Sequence, residues 1–230
     1  MRIALVKCND GIYTRESAGY RVVATDAPSR HRGGVALFYR PSPLFKVEAV
    51  REYGPNILSF EVATGAQRWY IIRCYLAPDD AETIERIVAA LGDKPRGTAL
   101  IVTGELNMDL EDTENNRRGS EIAAAMTEVR LEDMMANVFP RKRKWRRERR
   151  TWSMVREGKL VRFQTDYLLG TDRSLFRNVS ARYPRYNTDH FMVVGCLRSA
   201  PEQEHARNIK GRRKMPSQAT DGTHEGGWDL

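Results

Sequence analysis

The chain has 230 residues, of which 41% are hydrophobic and 9% aromatic, enough to build the core of one α/β-sized domain. Its formal charge is +8, and the run "RKRKWRRERR" (141–150), with eight basic residues and one acid, carries +7 of that, so the remainder is nearly neutral. The N-terminal "MRIALVKCND" has an apolar run of only four residues and no other segment approaches membrane length, which argues against a signal peptide or a spanning helix.

In chain order, strand signals come first. "GVALFYR" (34–40) follows the turn-like "RHRGG", and "NILSFEVA" (56–63) sets Leu58, Phe60 and Val62 on one face at period two. "RWYIIRCYL" (68–76) is continuously apolar, as expected of a strand covered on both faces. The period then changes. In "APDDAETIERIVAALGDKP" (77–95), Ile84, Ile87, Val88 and Leu91 share a helical face, Asp79 or Asp80 can cap the start, Gly92 suits a left-handed C-terminal position and Pro95 prevents continuation. The strand "TALIVTG" (98–104) follows, then a helix over 118–129 with Ser120 as cap. After the basic run, "TWSMV" (151–155), "LVRFQTDYLLG" (160–170), "RNVSARY" (177–183) and "HFMVVGCL" (190–197) read as strands. Residues 1–198 form the predicted domain, and the polar, aperiodic 199–230 reads as a disordered tail. Strands at both ends with helices between them indicate an α/β sandwich, not a strictly alternating parallel fold.

The cysteines, Cys8, Cys74 and Cys196, are odd in number and widely spaced, with no paired motif. Cys74 and Cys196 sit in apolar runs, which predicts buried free thiols and a reducing compartment. The expected setting is intracellular, nuclear or cytoplasmic. The basic run attracts phosphate polyanions, which makes Arg141, Lys142, Arg143, Lys144, Arg146 and Arg147 candidate nucleic-acid contacts. The same run also reads as a solvated loop or a nuclear-import address.

Polar groups gather at strand ends in four places: "CYLAP" (74–78), "TGELN" (103–107), "QTDYLLG" (164–170) and "YNTDHFMVV" (186–194). One sheet edge could collect all four, as a hydrolytic site requires. Individually each has a plain structural explanation. Together, "GELN", "QTDYLLG" and "NTDH", in that order and spacing, resemble the endonuclease/exonuclease/phosphatase superfamily, whose signatures are a GDLN strand end, an IDY or TDY strand and a final SDH or TDH. "RGGVALFYR" and "TWSMVREGKLVRFQTDYLLG" resemble in particular the endonuclease domains of non-LTR retroelements and their domesticated relatives. The resemblance spans about residues 11–198.

That resemblance implies a two-sheet sandwich flanked by helices and a magnesium- or manganese-dependent phosphodiesterase acting on DNA, with no small-molecule cofactor, no membrane partner and a monomeric state. It implies that Tyr75 lies beside the scissile phosphate, that Glu105 orients or deprotonates the attacking water, and that Asn107 bonds that water or a phosphate oxygen. His190 would contact the phosphate, Asp166 would orient His190 and favour its protonated form, and Asp189, with Glu105, would sit close to the metal. A hard cation takes oxygen ligands and neutralises charge developing in an in-line displacement.

Two departures stand out. The family's N-terminal Gln-Glu pair, whose glutamate is its main magnesium ligand, has no counterpart in "MRIALVKCND", and Glu16 comes too late to replace it. The expectation is a sandwich lacking its N-terminal strand or strands and a weakened metal site. Second, Glu105 stands where the family has aspartate; the extra methylene moves the carboxylate by about 1 Å, and displacements of that order cost about 10²-fold in rate. Impaired hydrolysis is expected. The alternatives are a catalytically inactive nucleic-acid- or protein-binding remnant, and a phosphatase of inositol phosphates or phospholipids.

Overall fold

The computed structural model describes residues 13–25, 33–65, 67–78, 80, 82–110, 117–138, 150–182 and 188–198. The segment MRIALVKCND with Cys8, the cap candidate Asp79, the basic residues 141–149 and the tail 199–230 therefore lie outside the described residues.

The first three strands, β1 (Tyr13–Ser17), β2 (Tyr20–Ala24) and β3 (Ala36–Tyr39), form an antiparallel sheet in that order. The central sheet begins with β4 (Lys46–Glu52), β5 (Ile57–Thr64) and β6 (Gln67–Tyr75), a meander of antiparallel neighbours. Then α1 (Glu82–Gly92) crosses over so that β7 (Ala99–Glu105) pairs with β6 in parallel, the connection that parallel strands require. Asp80 Oδ1 accepts from the Glu82 amide at 3.1 Å, which satisfies one of the donors left over at the start of α1. Next come α2 (Arg117–Glu128), the short β8 (Glu132–Asp133) and α3 (Met134–Val138). A two-stranded ribbon, β9 (Trp152–Arg156) with β10 (Lys159–Phe163), precedes β11 (Asp166–Gly170), which enters the central sheet to give the order β4-β5-β6-β7-β11-β8. β12 (Phe176–Arg182) and β13 (Met192–Leu197) form a final antiparallel pair.

The central sheet is buried on both faces. On one, Tyr70, Ile72, Cys74, Leu100 and Val102 pack with Ile87 and Leu91 of α1 and Ile122 and Met126 of α2. On the other, Leu58, Phe60, Trp69, Ile71, Ile101 and Leu168 pack with Val23 of β2, Leu37 of β3, Met135 of α3 and Val179 of β12. This is the expected sandwich with helices outside it, its second layer formed by β1-β2-β3 and β12-β13.

Several local expectations are corrected. Val88 lies at the rim of α1 and is 47% exposed. Gly92 ends α1 without a left-handed φ, and Ser120 lies inside α2, so it is not its cap. Cys196 is exposed, because the alternation in β13 turns Val193, Gly195 and Leu197 toward the core and Cys196 outward. The run 160–170 is two strands, broken at Gln164 and Thr165. Gln164 Nε2 donates to Asp133 Oδ2 at 2.9 Å, and the Thr165 carbonyl accepts from the Leu106 amide at 2.8 Å. These bonds end one ladder and start the next.

Gly104 lies inside β7, opposite Cys74. Its φ is +156°, and a Cβ built there would lie 1.8 Å from the Cys74 carbonyl oxygen, backbone that cannot move aside without breaking the β6–β7 ladder. Gly104→Ala is expected to destabilise the domain by about 2–4 kcal/mol, the range for overpacking combined with backbone strain. Urea unfolding measures it, and a change below about 0.5 kcal/mol, the level of an ordinary surface substitution, would contradict the close approach.

Candidate active site

The sheet registers bring the distant sequence signals together. Tyr75, the last residue of β6, pairs with Glu105, the last of β7, and Glu105 pairs with Asp166, the first of β11. Directly paired residues point to the same face, so three side chains form one row at the edge of the central sheet, on its sandwich side. Tyr75 and Glu105 are half-buried and Asp166 is buried.

His190 reaches this row from the segment before β13. Its backbone forms an antiparallel bridge with Trp152, and the flanking amides reinforce it: Ser153 N donates to Asp189 O at 3.0 Å and Phe191 N to Thr151 O at 2.6 Å. The imidazole Nδ1 lies 2.9 Å from Asp166 Oδ2, and Nε2 lies 3.7 Å from Glu105 Oε1. The pair is partly shielded, with side-chain exposures of 28% for His190 and 12% for Asp166. Asp166 is itself held: its amide donates to Thr151 Oγ1 at 2.8 Å, and Thr165 Oγ1 donates to the same Oδ2 at 3.1 Å. Thr151 is fully buried and accepts from the Thr165 amide as well, at 3.0 Å.

These contacts determine the electrostatics. The hydrogen bond to Asp166 holds the His190 pKa above its ordinary value against the cost of burial, and the charges of Glu105 and Asp189 act in the same direction. Burial pushes Glu105 above the usual carboxylate range; Asp166 and Asp189 add to this, while His190 and Arg73 oppose it. The site thus contains an imidazole that keeps its proton to higher pH beside a carboxylate that gives up its own less readily.

Two expected members sit just outside this cluster. Asn107 adopts a left-handed φ of 54°, a conformation asparagine tolerates, and its Nδ2 donates to the Leu76 carbonyl at 2.9 Å. The amide nitrogen is committed to backbone, which leaves the carboxamide oxygen as the group available to a ligand. Asp189 is exposed, and its Oδ2 accepts from the Trp152 indole at 2.9 Å. Glu16 is remote in role: it is exposed on β1 and lies 3.8 Å from Arg21 across the hairpin.

A ligand atom from each of Glu105, Asp166 and His190 lies within 4.8 Å of the others, a spacing that could hold a cation. The donor set suits a hard ion. His190 Nδ1 is engaged by Asp166, so the carboxylate oxygens are the natural ligands, with water completing the shell.

Sequence reasoning missed three supporting residues. Thr151 and Trp152 gave no signal beyond a strand. Arg73 did give one, a lone charge within "WYIIRCYLA", a run read as covered on both faces.

Asp166→Asn is expected to lower the His190 pKa, since it removes the hydrogen-bonding negative charge that favours the imidazolium. The imidazole should therefore lose its proton at lower pH than in the parent chain. An NMR titration of the ring nitrogens in EDTA measures the shift, and an unchanged midpoint would contradict the pairing.

No protein-family model matches the sequence, and no curated protein matches it. Solved structures do match in shape. The endonuclease domain of TRAS1, a telomere-specific non-LTR retrotransposon, superimposes with a TM-score of 0.64 at 18% identity, covering 86% of this chain and 87% of that one. An endonuclease/exonuclease/phosphatase family protein from Leptotrichia buccalis gives 0.55 at 15% identity over 80% and 74% of the two chains. The human Nocturnin catalytic domain with bound sulfate gives 0.50 at 17% identity over 77% and 71%. The architecture built by these strands is therefore the fold of the endonuclease/exonuclease/phosphatase proteins.

Proposed function

We propose that this chain is a divalent-metal-dependent phosphodiesterase of the nuclease type, acting on DNA with reduced efficiency. The observation that carries the reading is the meeting of Glu105 and Asp166, from two strand ends, with His190, from the segment before β13, within 4.8 Å. A magnesium or manganese ion held by Glu105 and Asp166 would supply charge neutralisation to a phosphoryl group. The chain's own residues do the rest. Asp166 fixes the imidazole through Nδ1 and stabilises its proton, so that Nε2–H can bond a phosphate oxygen and offset the charge that grows there. Glu105 accepts a proton from an attacking water, a task that a carboxylate of raised pKa performs better than an ordinary one. Asn107 orients that water through its oxygen, and the Tyr75 ring forms one wall.

A polyanionic substrate is supported by the β9–β10 ribbon, which leads directly into the site. It leaves Val155, Leu160 and Phe163 exposed and carries Arg156, Lys159 and Arg162. Cations that contact phosphate together with a ring, here Phe163, that can stack on a base are features of a nucleic-acid surface. The basic run 141–150 precedes the ribbon in sequence and adds charge of the same sign.

A second reading, a DNA-binding chain without chemistry, is favoured by one distance. Glu105 Oε1 lies 3.7 Å from His190 Nε2, the nitrogen that would otherwise face the phosphate. The longer side chain competes for the position that the substrate needs.

Nicking of supercoiled plasmid with magnesium tests the proposal. The parent chain should nick slowly, His190→Ala should lose about 10²-fold or more, and Glu105→Asp should be faster than the parent. Nicking that survives His190→Ala would overturn the site. Duplex binding without nicking in any form, including Glu105→Asp, would establish the second reading.

A further inference from the structure

Arg73 lies in the middle of β6, 8% exposed, in the interior between the two layers. The registers put it in one row with Leu58, Thr103 and Leu168, immediately behind the row of Tyr75, Glu105 and Asp166 and on the same face. A guanidinium offers five donors. Among the described residues, Arg73 makes a single weak bond, from Nη1 to Thr103 Oγ1 at 3.4 Å, while its Nε is buried without a partner and no carboxylate forms an ion pair with it.

Such a residue is costly as packing. Arginine keeps its proton in proteins, so the charge is carried in the interior, where an apolar side chain of similar volume would be the cheaper occupant. Its neighbours in its own row offer little compensation. What lies one row nearer the edge is negative: Glu105, diagonal to Arg73 across the parallel ladder, and Asp166 beyond it. The charge of Arg73 acts on both carboxylates, opposing the rise in the Glu105 pKa.

We propose that Arg73 is a built-in counter-cation for the Glu105–Asp166 pair, a positioning residue that holds the two carboxylates together when no divalent ion is bound and keeps the affinity for such an ion low. Only its metal arm rests on the proposed function. Two carboxylates carry two negative charges; Arg73 offsets one at every pH, and His190 offsets the second when protonated. Removing Arg73 leaves the pair under-compensated. The chain without metal then loses stability, and a divalent cation meets a more negative site.

The second consequence separates this role from a structural one. An arginine that merely props the strands apart would, on removal, let Glu105 move and weaken cation binding. A counter-cation, on removal, strengthens it.

The test uses the full chain with Arg73→Met, Glu105→Gln and the double variant at pH 8. Urea midpoints in EDTA come first, then Mn²⁺ binding followed by the EPR signal of the free ion. Arg73→Met should lower the midpoint, with at least half of that loss absent in the Glu105→Gln background, and it should tighten Mn²⁺ binding roughly tenfold. An equal loss in both backgrounds, or weaker Mn²⁺ binding, overturns the proposal. If Arg73→Met does not fold alone, folding restored by adding Glu105→Gln supports the counter-cation, and failure of both overturns it. If the EDTA coupling holds while neither the parent chain nor Arg73→Met binds Mn²⁺, the pairing of Arg73 with Glu105 stands and the metal-dependent reading of the site fails.

Discussion

The parallel ladder between β6 and β7 is the constraint on which the rest depends. It puts Tyr75 beside Glu105 and, through the antiparallel pairing of β7 with β11, puts Asp166 beside Glu105 in turn. A slip of one residue in either ladder would send the carboxylates to the helix side of the sheet and break the constellation. Gly104 enforces the register sterically, because only a residue without Cβ fits against the Cys74 carbonyl. The β6–α1–β7 crossover supplies the parallel pairing, and the layer of α1 and α2 buries the other face.

Given that edge, the remaining question is how charges coexist there. Two carboxylates in one row, one of them buried, repel each other. Asp166 is stabilised by Thr165 and His190, which bond its carboxylate, and by Thr151, whose Oγ1 accepts from its backbone amide. Glu105 is more isolated, which is why its acidity responds to burial before anything else. Trp152 performs a parallel service outside the row: its indole holds Asp189, and its backbone holds the neighbouring His190. The ribbon that offers a surface to a polyanion is thereby tied to the residues proposed to act on it.

Much of this was legible in the sequence. The period-two run at Leu58, Phe60 and Val62 and the continuous run at 68–76 gave two central strands and their burial, because side-chain alternation leaves a direct trace. The convergence of "GELN", "TDY" and "TDH" was legible as a pattern. What could not be read were relations between distant segments. β1 and β8 are polar or short and left no apolar trace, and the irregularity between Glu48 and Arg51 puts Val47 and Val50 of β4 out of period two. The break at Gln164–Thr165 depends on Asp133 and Leu106, far away in sequence. Thr151 looks like any strand-flanking threonine until the fold places it under Asp166. Glu105 was read as displaced by its extra methylene, and the geometry gives that length a destination, toward His190 Nε2.

The central claim is that this edge holds a hard cation through carboxylate oxygen while His190 stays paired with Asp166. An anomalous-difference map of crystals soaked in Mn²⁺ addresses it directly. The account predicts a peak at coordination distance, about 2.1 Å, from a Glu105 oxygen, with the His190–Asp166 hydrogen bond intact. A peak on a ring nitrogen of His190, or no peak at this edge in crystals that bind the ion elsewhere, would contradict it.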